Sequence, residues 1–350
     1  MSIATSNSDA DGKRYLVATI NHSHAGFFAY VNFAVNQIIY AEKHGLHPVV
    51  FFGKNSVDGP NAFYDAELGE NMWEYYFEPV AQVSYSDIQN RLADPQDSLT
   101  QDDIVTLSIS ELWRIHGREP DSVFVYPHNM YKKQDRYEPD WYAEQRQKAR
   151  RIVGEYIRAK PHIREKVADF ERRYCANDRV IGIHMRGTDK GTAGSSERLM
   201  RVVQPKEYFP LIDAYTKEHG ACKIFVATDQ EQFLNRVIAK YGNRVISYQS
   251  IRARGIRNPF ELSDGNAYRK GEDVLIDSLL LSRCDYLLKC TSAVGEFAMY
   301  FNPKLECYDL NEQGTPPTRM QAFAIRQKRK FYKKYLARKK LAYRRRDGAV

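Results

Sequence analysis

The sequence predicts an α/β protein made of two Rossmann-like units with a cleft between them, and three observations carry that reading. The chain has 350 residues, which suits two domains of about 100–200 residues each. Its second half alternates short apolar runs with amphipathic segments, the pattern of a doubly wound parallel sheet. Its first half opens with strand, helix and strand at the spacing of a parallel βαβ unit.

The elements follow in order. YLVATI (15–20) predicts a strand, NHSHAGFF a loop, and residues 30–44 a helix with Val31, Val35, Ile38 and Ile39 on one face. Gly45 closes that helix, and PVVFF (48–52) predicts the second strand. The aromatic stretches NMWEYYFEPV (71–80) and FVYPHNMYKKQDRYEPDWY (124–142) either line a sugar site or form the core of a loop-rich layer. Residues 140–174 read as helix with a break near Pro161, and Ile163, Val167, Phe170 and Tyr174 share one face. Beyond Val180, strands are predicted at 180–185, 223–228, 244–248, 285–290 and 305–310. Helices fit near 205–218, 230–241, 272–283 and 293–301. The expected organisation is a disordered 1–13, an N-terminal α/β domain over 14–177, a C-terminal Rossmann-like domain over 178–315, and a basic, helical tail over 316–350.

Composition bounds the function. With 43% hydrophobic and 27% charged residues, this is an ordinary globular chain able to bury a core. No apolar run nears the ~20 residues that span a bilayer. MSIATSNSDADGKR lacks the parts of a signal peptide, so the expectation is a cytoplasmic protein. Five cysteines without CxxC spacing read as free thiols. Residues 326–347 carry twelve Lys and Arg against one acid, which leaves 40 bases against 43 acids elsewhere. A near-neutral body argues against a specific nucleic-acid protein. The tail, with Tyr332, Leu336 and Tyr343 among its bases, either touches an anionic membrane surface through 326–346 or docks on the body.

Polar residues gather where the predicted strands end. VIGIHMRGTDKG (180–191) stops an apolar run with His184, Arg186, Asp189 and Lys190. The next strand ends in Thr228-Asp229-Gln230, and a later one in Thr291-Ser292 just before a helix. Ligands of parallel sheets bind at carboxyl ends of strands, and helix N-termini receive phosphates. Three such ends favour an anionic, nucleotide-like ligand. Asp277 lies inside the apolar VLIDSLLLSRC, where a carboxylate needs a buried cation, a helix N-terminus or a ligand. Guanine fits as that ligand, because its N1–H and N2–H2 present two parallel donors. Neither GxGxxG nor GxxxxGK[ST] occurs where it would mark a dinucleotide or P-loop site, and the second half has no DxD pair to hold a metal. Arg186 and Lys190 then serve as counter-charges. His22 and His24, in the loop after the first strand, are candidates for acceptor or phosphate contact from the N-terminal half.

VIGIHMRGTDKG resembles the HxRxTDK signature of the α1,6-fucosyltransferases, which move fucose from GDP-fucose to glycans such as the N-glycan core or nodulation chitooligosaccharides. Pro205-x-Glu207-Tyr208, FVATDQ (225–230), DVLIDSLLLSRCDYLL (273–288) and Thr291-Ser292 follow in the family's order, so the resemblance spans about residues 180–310. It implies a GT-B-like fold of two facing Rossmann-like α/β domains with a central cleft. It also implies an inverting, metal-independent transfer without a cofactor. By position, Arg186 would hold the β-phosphate of the leaving GDP, and His184 and Asp277 the guanine. Ser292, beside Thr291, would meet the phosphates, and Asp229 would lie on the nucleotide side. Two departures stand out. Gly187 occupies the place of a second arginine, whose contact would pass to Lys190 or to an arginine elsewhere. The family's glutamate after TDK is matched only by the later Glu197, with Asp189 as the other candidate base. The expected partners are a GDP-sugar donor and a glycan or glycoconjugate acceptor. Another GDP-sugar as donor, or an inactive GDP-sugar- or glycan-binding relative, are the alternatives.

Overall fold

A computed structural model describes residues 13–21, 25–56, 59–116, 139–175, 178–187, 202–254 and 266–311. The chain divides into two compact units, Met1–Arg164 and Glu165–Val350. Each is a mixed α/β unit around a parallel sheet, which is the α/β architecture expected from the sequence. Among the described residues no helix is long and apolar enough to cross a membrane, and all five cysteines are free. His22, His24, Asp189, Lys190, Glu197, the aromatic stretch up to residue 138 and the basic tail lie outside the described residues.

The first unit starts with β1 (Tyr15–Thr19), α1 (Phe27–Lys43) and β2 (His47–Phe51). The helix begins at Phe27, three residues ahead of expectation, because Gly26 serves as an extended N-cap. Gly45, at φ 64°, turns the chain out of it. A ribbon of β3 (Asn55–Ser56) and β4 (Gly59–Pro60) follows, then the short helix α2 (Trp73–Tyr76), α3 (Tyr85–Ala93) and β5 (Ile104–Ser108). The order β2-β1-β5 is wholly parallel. Helix α3 and strand β5 escaped the sequence reading. The first carries a full capping box, Ser84 with Asp87, so its signal was legible; the second, IVTLS, is short and half-buried. Helices α4 (Ile109–His116) and α5 (Pro139–Tyr156) complete the unit.

Its core is aromatic. Phe27 meets Tyr76 at 4.8 Å and Phe63 at 5.5 Å between ring centroids, and Trp73 meets Phe77 at 4.4 Å. Trp73, Tyr75, Tyr76 and Phe77 are all buried. The 71–80 cluster is therefore core packing, the second of its two readings. The buried Gln37 amide donates to Thr19 O at 2.8 Å and Leu107 O at 2.5 Å. It thereby fastens α1 across β1 and β5.

The second unit takes in most of α6 (Pro161–Tyr174), then β6 (Val180–Met185), α7 (Pro205–His219), β7 (Lys223–Thr228), α8 (Glu231–Tyr241) and β8 (Val245–Ile246). Helix α9 (Ala267–Leu281), β9 (Tyr286–Lys289), α10 (Ala293–Phe301) and β10 (Cys307–Asp309) close it. The sheet runs β10-β9-β6-β7-β8, with every pair parallel. On one face Ile181, Ile183, Ile224 and Val226 pack with Tyr208 and Ile212 of α7 and Phe233 and Val237 of α8. On the other, Phe225 meets Phe170 of α6 at 5.6 Å, and Gly182 lies against Leu281 and Cys284.

Two boundaries and one buried position differ from expectation for physical reasons. Strand β8 stops at Ile246, and beyond it the Tyr248 carbonyl accepts from the Arg252 guanidinium. Helix α9 starts five residues early because its charged first turns find partners. Glu272 takes Lys166 at 2.7 Å and the Tyr268 hydroxyl at 2.6 Å. Tyr174, expected on the buried face of α6, is 45% exposed at the helix end while its ring rests on Phe170 at 4.8 Å.

Gly182 gives a test of this packing. A Cβ there would stand 2.9 Å from Cys284 Sγ and 3.2 Å from Leu281 Cδ2. Gly182→Ala should destabilise the protein by about 1–3 kcal/mol, read as a lower midpoint in urea. Cys284→Ala in the same chain should recover much of that loss; additive effects of the two changes would contradict the contact.

Candidate functional site

The path of the second sheet creates one crevice. From β6 the chain moves outward through β7 and β8, then returns to place β9 on the other side of β6. Connections at such a reversal diverge, and the gap opens at the carboxyl ends of the two strands. His184 stands level with Lys289 in β9, and Met185 with Thr228 in β7.

Strand β6 delivers Arg186, half-buried, and Gly187 to this edge. The Gly187 N–H donates to Asp229 Oδ1 at 2.9 Å, so Asp229 tethers the turn that carries Arg186. Gly187 is closely packed by side chains: a Cβ would lie 2.7 Å from Gln230 Oε1 and 2.9 Å from Phe233 Cε2. A second arginine could stand here only if both neighbours moved. His184 is buried on the face shared with Gly182, beneath α10, with Nδ1 3.9 Å from Cys290 Sγ.

The segment after β8 is pinned over the same edge. Ala253 N–H donates to Asp229 O at 2.9 Å, and Glu231 N–H to Ala253 O at 3.1 Å. Ile251 N–H donates to Asp273 Oδ2 of α9 at 2.9 Å. These bonds present Ser250 and Arg252 toward Asp277, which both groups help to keep ionised. One residue on, the Ser278 hydroxyl donates to Val294 O at 2.9 Å, which joins α9 to the first turn of α10.

Beyond β9, Thr291 N–H donates to Asn311 Oδ1 at 2.8 Å. Ser292 is the extended N-cap of α10, yet its side chain caps nothing. Lys289 anchors the turn from below. It is wholly buried, with Glu296 of α10 at 2.6 Å and Asp309 of β10 in contact. One buried cation therefore ties β9, β10 and α10 together.

Ten buried side-chain polar atoms of the described residues lack a hydrogen bond, and five belong to this edge: Ser250 Oγ, Arg252 Nε, Asp277 Oδ1, Thr291 Oγ1 and Ser292 Oγ. Leaving such a group unsatisfied costs about 1–3 kcal/mol, so this concentration marks a place for a polar ligand. The set offers an acceptor at Asp277, donors at Arg252, two hydroxyls, and the free amides of a helix N-terminus suited to an anion. Burial pushes the Asp277 carboxyl up to about 7, with Arg252 and Ser250 opposing and Asp273 reinforcing the shift. Asp273 itself is raised to about 6, also by burial, against the Ile251 amide.

Of the sequence candidates, His184, Arg186, Asp229, Asp277, Thr291 and Ser292 all belong to this edge of the second unit. Ser250, Arg252 and Asp273 were missed. Lys289, Glu296 and Asp309 were missed too, although each is a charge inside an apolar run, the same signal that singled out Asp277.

The family described as alpha-(1,6)-fucosyltransferase N- and catalytic domains matches residues 66–297. NodZ alpha-1,6-fucosyltransferase, from a crystal soaked with GDP-fucose, is 18% identical, with 87% of this chain and 97% of that chain covered and a TM-score of 0.50. Fucosyltransferase NodZ from Bradyrhizobium is 16% identical over 87% and 97%, with a TM-score of 0.48. POFUT1 in complex with GDP-fucose is 10% identical over 86% and 98%, also at 0.48. Nothing beyond the fold follows from these structural likenesses.

The raised carboxyls predict a pH effect on the ligand-free protein. A folded-state value of about 7 against an ordinary 3.8 for Asp277 means that the folded chain keeps a proton the unfolded chain has released. Stability is then full at low pH and falls as pH rises from about 4 through about 7, by roughly 3 kcal/mol. Asp273 adds to the fall in the same direction. Urea unfolding of wild type and Asp277→Asn at pH 5 and pH 8 should give a clearly smaller loss in the variant.

Proposed function

As a member of the alpha-(1,6)-fucosyltransferase family, matched over residues 66–297, the chain is a glycosyltransferase, and we propose that its donor is GDP-fucose and its acceptor a hydroxyl of a glycan or glycoconjugate. The observation that carries the donor reading is the cluster of five unpartnered buried polar atoms at the β6–β9 reversal. Its acceptor, donors and helix N-terminus divide naturally between a base and a diphosphate. The family match points the same way.

In this reading guanine lies against Asp277, which accepts from N1–H and N2–H2 in its ionised form, with His184 beside the base. The diphosphate lies between Arg186 and the α10 N-terminus, where Thr291 and Ser292 supply hydroxyl donors. Transfer is an in-line displacement with inversion: the acceptor oxygen bonds to the anomeric carbon as the bond from that carbon to the β-phosphate oxygen breaks. The acceptor proton passes to a carboxylate, Glu197 or Asp189. Negative charge grows on GDP as it leaves, and Arg186, Lys190 and the helix amides stabilise it in place. These charges act without a metal. The Asp229 carboxylate, on the nucleotide side, holds the Gly187 amide and so positions Arg186. The N-terminal unit, residues 14–177 in this division, supplies most of the acceptor site, with His22 and His24 as candidates. The tail at 326–346 meets an anionic membrane surface from the cytoplasmic side.

Calorimetry in EDTA tests the donor. GDP should bind with UDP much weaker, and Arg186→Ala should weaken GDP by about tenfold or more. Equal binding of the two nucleotides, or no effect of the substitution, would leave only the fold in common with the family. For the base, Glu197→Gln or Asp189→Asn should lower kcat by about 10²–10⁴ with GDP affinity unchanged. If neither does so, the proton goes elsewhere.

A further inference from the structure

Arg252 belongs to the polar cluster but has been given no contact of its own, and its guanidinium is held by two bonds. One terminal nitrogen, Nη2, donates to Tyr248 O at 2.6 Å, and Nη1 donates to Ser250 O at 3.2 Å. Both bonds run to its own segment, and that segment is itself tied to β7 through Ala253 and to α9 through Ile251. The fork is thus fixed before any ligand arrives. Its Nε–H is buried and unpartnered, and so are the neighbouring Ser250 Oγ and Asp277 Oδ1. A donor with no acceptor and a carboxylate with a free oxygen thus belong to two segments that are bonded to each other through Ile251 and Asp273, and the charge on Arg252 acts on Asp277.

We propose that Arg252 is a specificity-determining residue of the nucleotide site, donating from Nε–H to the 6-oxo group of a guanine whose N1–H and N2–H2 are held by Asp277. This rests on the guanine-nucleotide reading given above. A guanine edge presents acceptor, donor, donor in sequence, and Arg252 followed by Asp277 offers the complement: one donor, then two acceptor oxygens. Adenine would put its 6-amino donors against the Arg252 donor and its bare N1 against a carboxylate oxygen. Uracil matches the first two positions but sets its 2-oxo group against the second carboxylate oxygen. Mismatches of this kind leave buried polar groups unpaired, which is how hydrogen-bonding sites reject near-isosteres. Asp277 alone rewards two donors; with Arg252 fixed beside it, the pair also rejects a base that lacks the 6-oxo acceptor.

The test measures binding of GDP, ADP and 6-thioguanosine diphosphate to the full chain, wild type and Arg252→Met, with thermal melts to confirm folding. The thio analogue keeps N1–H and N2–H2 and replaces only the oxo acceptor with a poorer one. Wild type should bind GDP about tenfold or more tightly than the thio analogue or ADP, the effect of one hydrogen bond from a charged donor. In Arg252→Met the preference for GDP over the thio analogue should vanish, and the margin over ADP should narrow by a similar factor. Equal binding of GDP and the thio analogue to wild type overturns the proposal even if the variant fails to fold. An equal loss for GDP and ADP in a folded variant overturns it too, since that would be a structural role. If wild type binds no GDP at all, the guanine reading itself fails, and this role with it.

Discussion

The second unit depends on one topological fact: the chain leaves β6 on one side and returns on the other. At that reversal the crossover helices lie on opposite faces of the sheet. A crevice lined by the ends of β6 and β9 and the start of α10 is then unavoidable. Apolar side chains could have filled it. Instead the chain places histidine, arginine, aspartate, threonine and serine there, and fixes each from behind. Asp229 holds the turn after β6, Asp273 the segment after β8, and Lys289 the turn after β9. Five polar atoms without a hydrogen bond, on Ser250, Arg252, Asp277, Thr291 and Ser292, thus sit on a frame held by bonds of its own, which is the condition for preorganised electrostatics.

That frame is expensive. Lys289 is buried with two carboxylates, an arrangement that burial of hydrophobic residues could replace at little loss of stability. What an apolar layer could not do is hold three elements at fixed mutual positions through one atom. The close approach at Gly295 shows the precision involved: an added Cβ would stand 3.1 Å from Lys289 Cδ and 3.3 Å from His184 Nδ1. The absent side chain at residue 295 lets helix α10 settle this near β6 and β9 without displacing Lys289 or His184.

How much could be read from the sequence follows from these particulars. The second-half strands β6 and β7 were legible to the residue, because buried parallel strands are uninterrupted apolar runs that end in charge. Strand β8 was overread, since an edge strand has one partner and Tyr248 takes another. Helix α9 was underread, because its first turn, Ala267 to Gly271, is polar and resembles a loop, while the bonds that hold Tyr268 and Glu272 there reach Lys166, over 100 positions away. The same holds for the site. Asp277 was visible as a charge in an apolar helix, whereas Ser250 and Arg252 lie in a segment without periodicity, and their place depends on long-range backbone bonds. Gly187 looked like a missing arginine; Gln230 and Phe233 pack into the space that its side chain would take.

The buried carboxyl of Asp277 has a thermodynamic consequence of its own. With its ionisation set near 7, the empty protein at neutral pH is a mixture of two protonation states. A ligand that offers it two N–H donors selects the ionised one, so occupancy and proton release become a single linked equilibrium. The heat of such an association includes the buffer's heat of taking up that proton, and a crowded, slightly acidic compartment would lower occupancy without altering any contact.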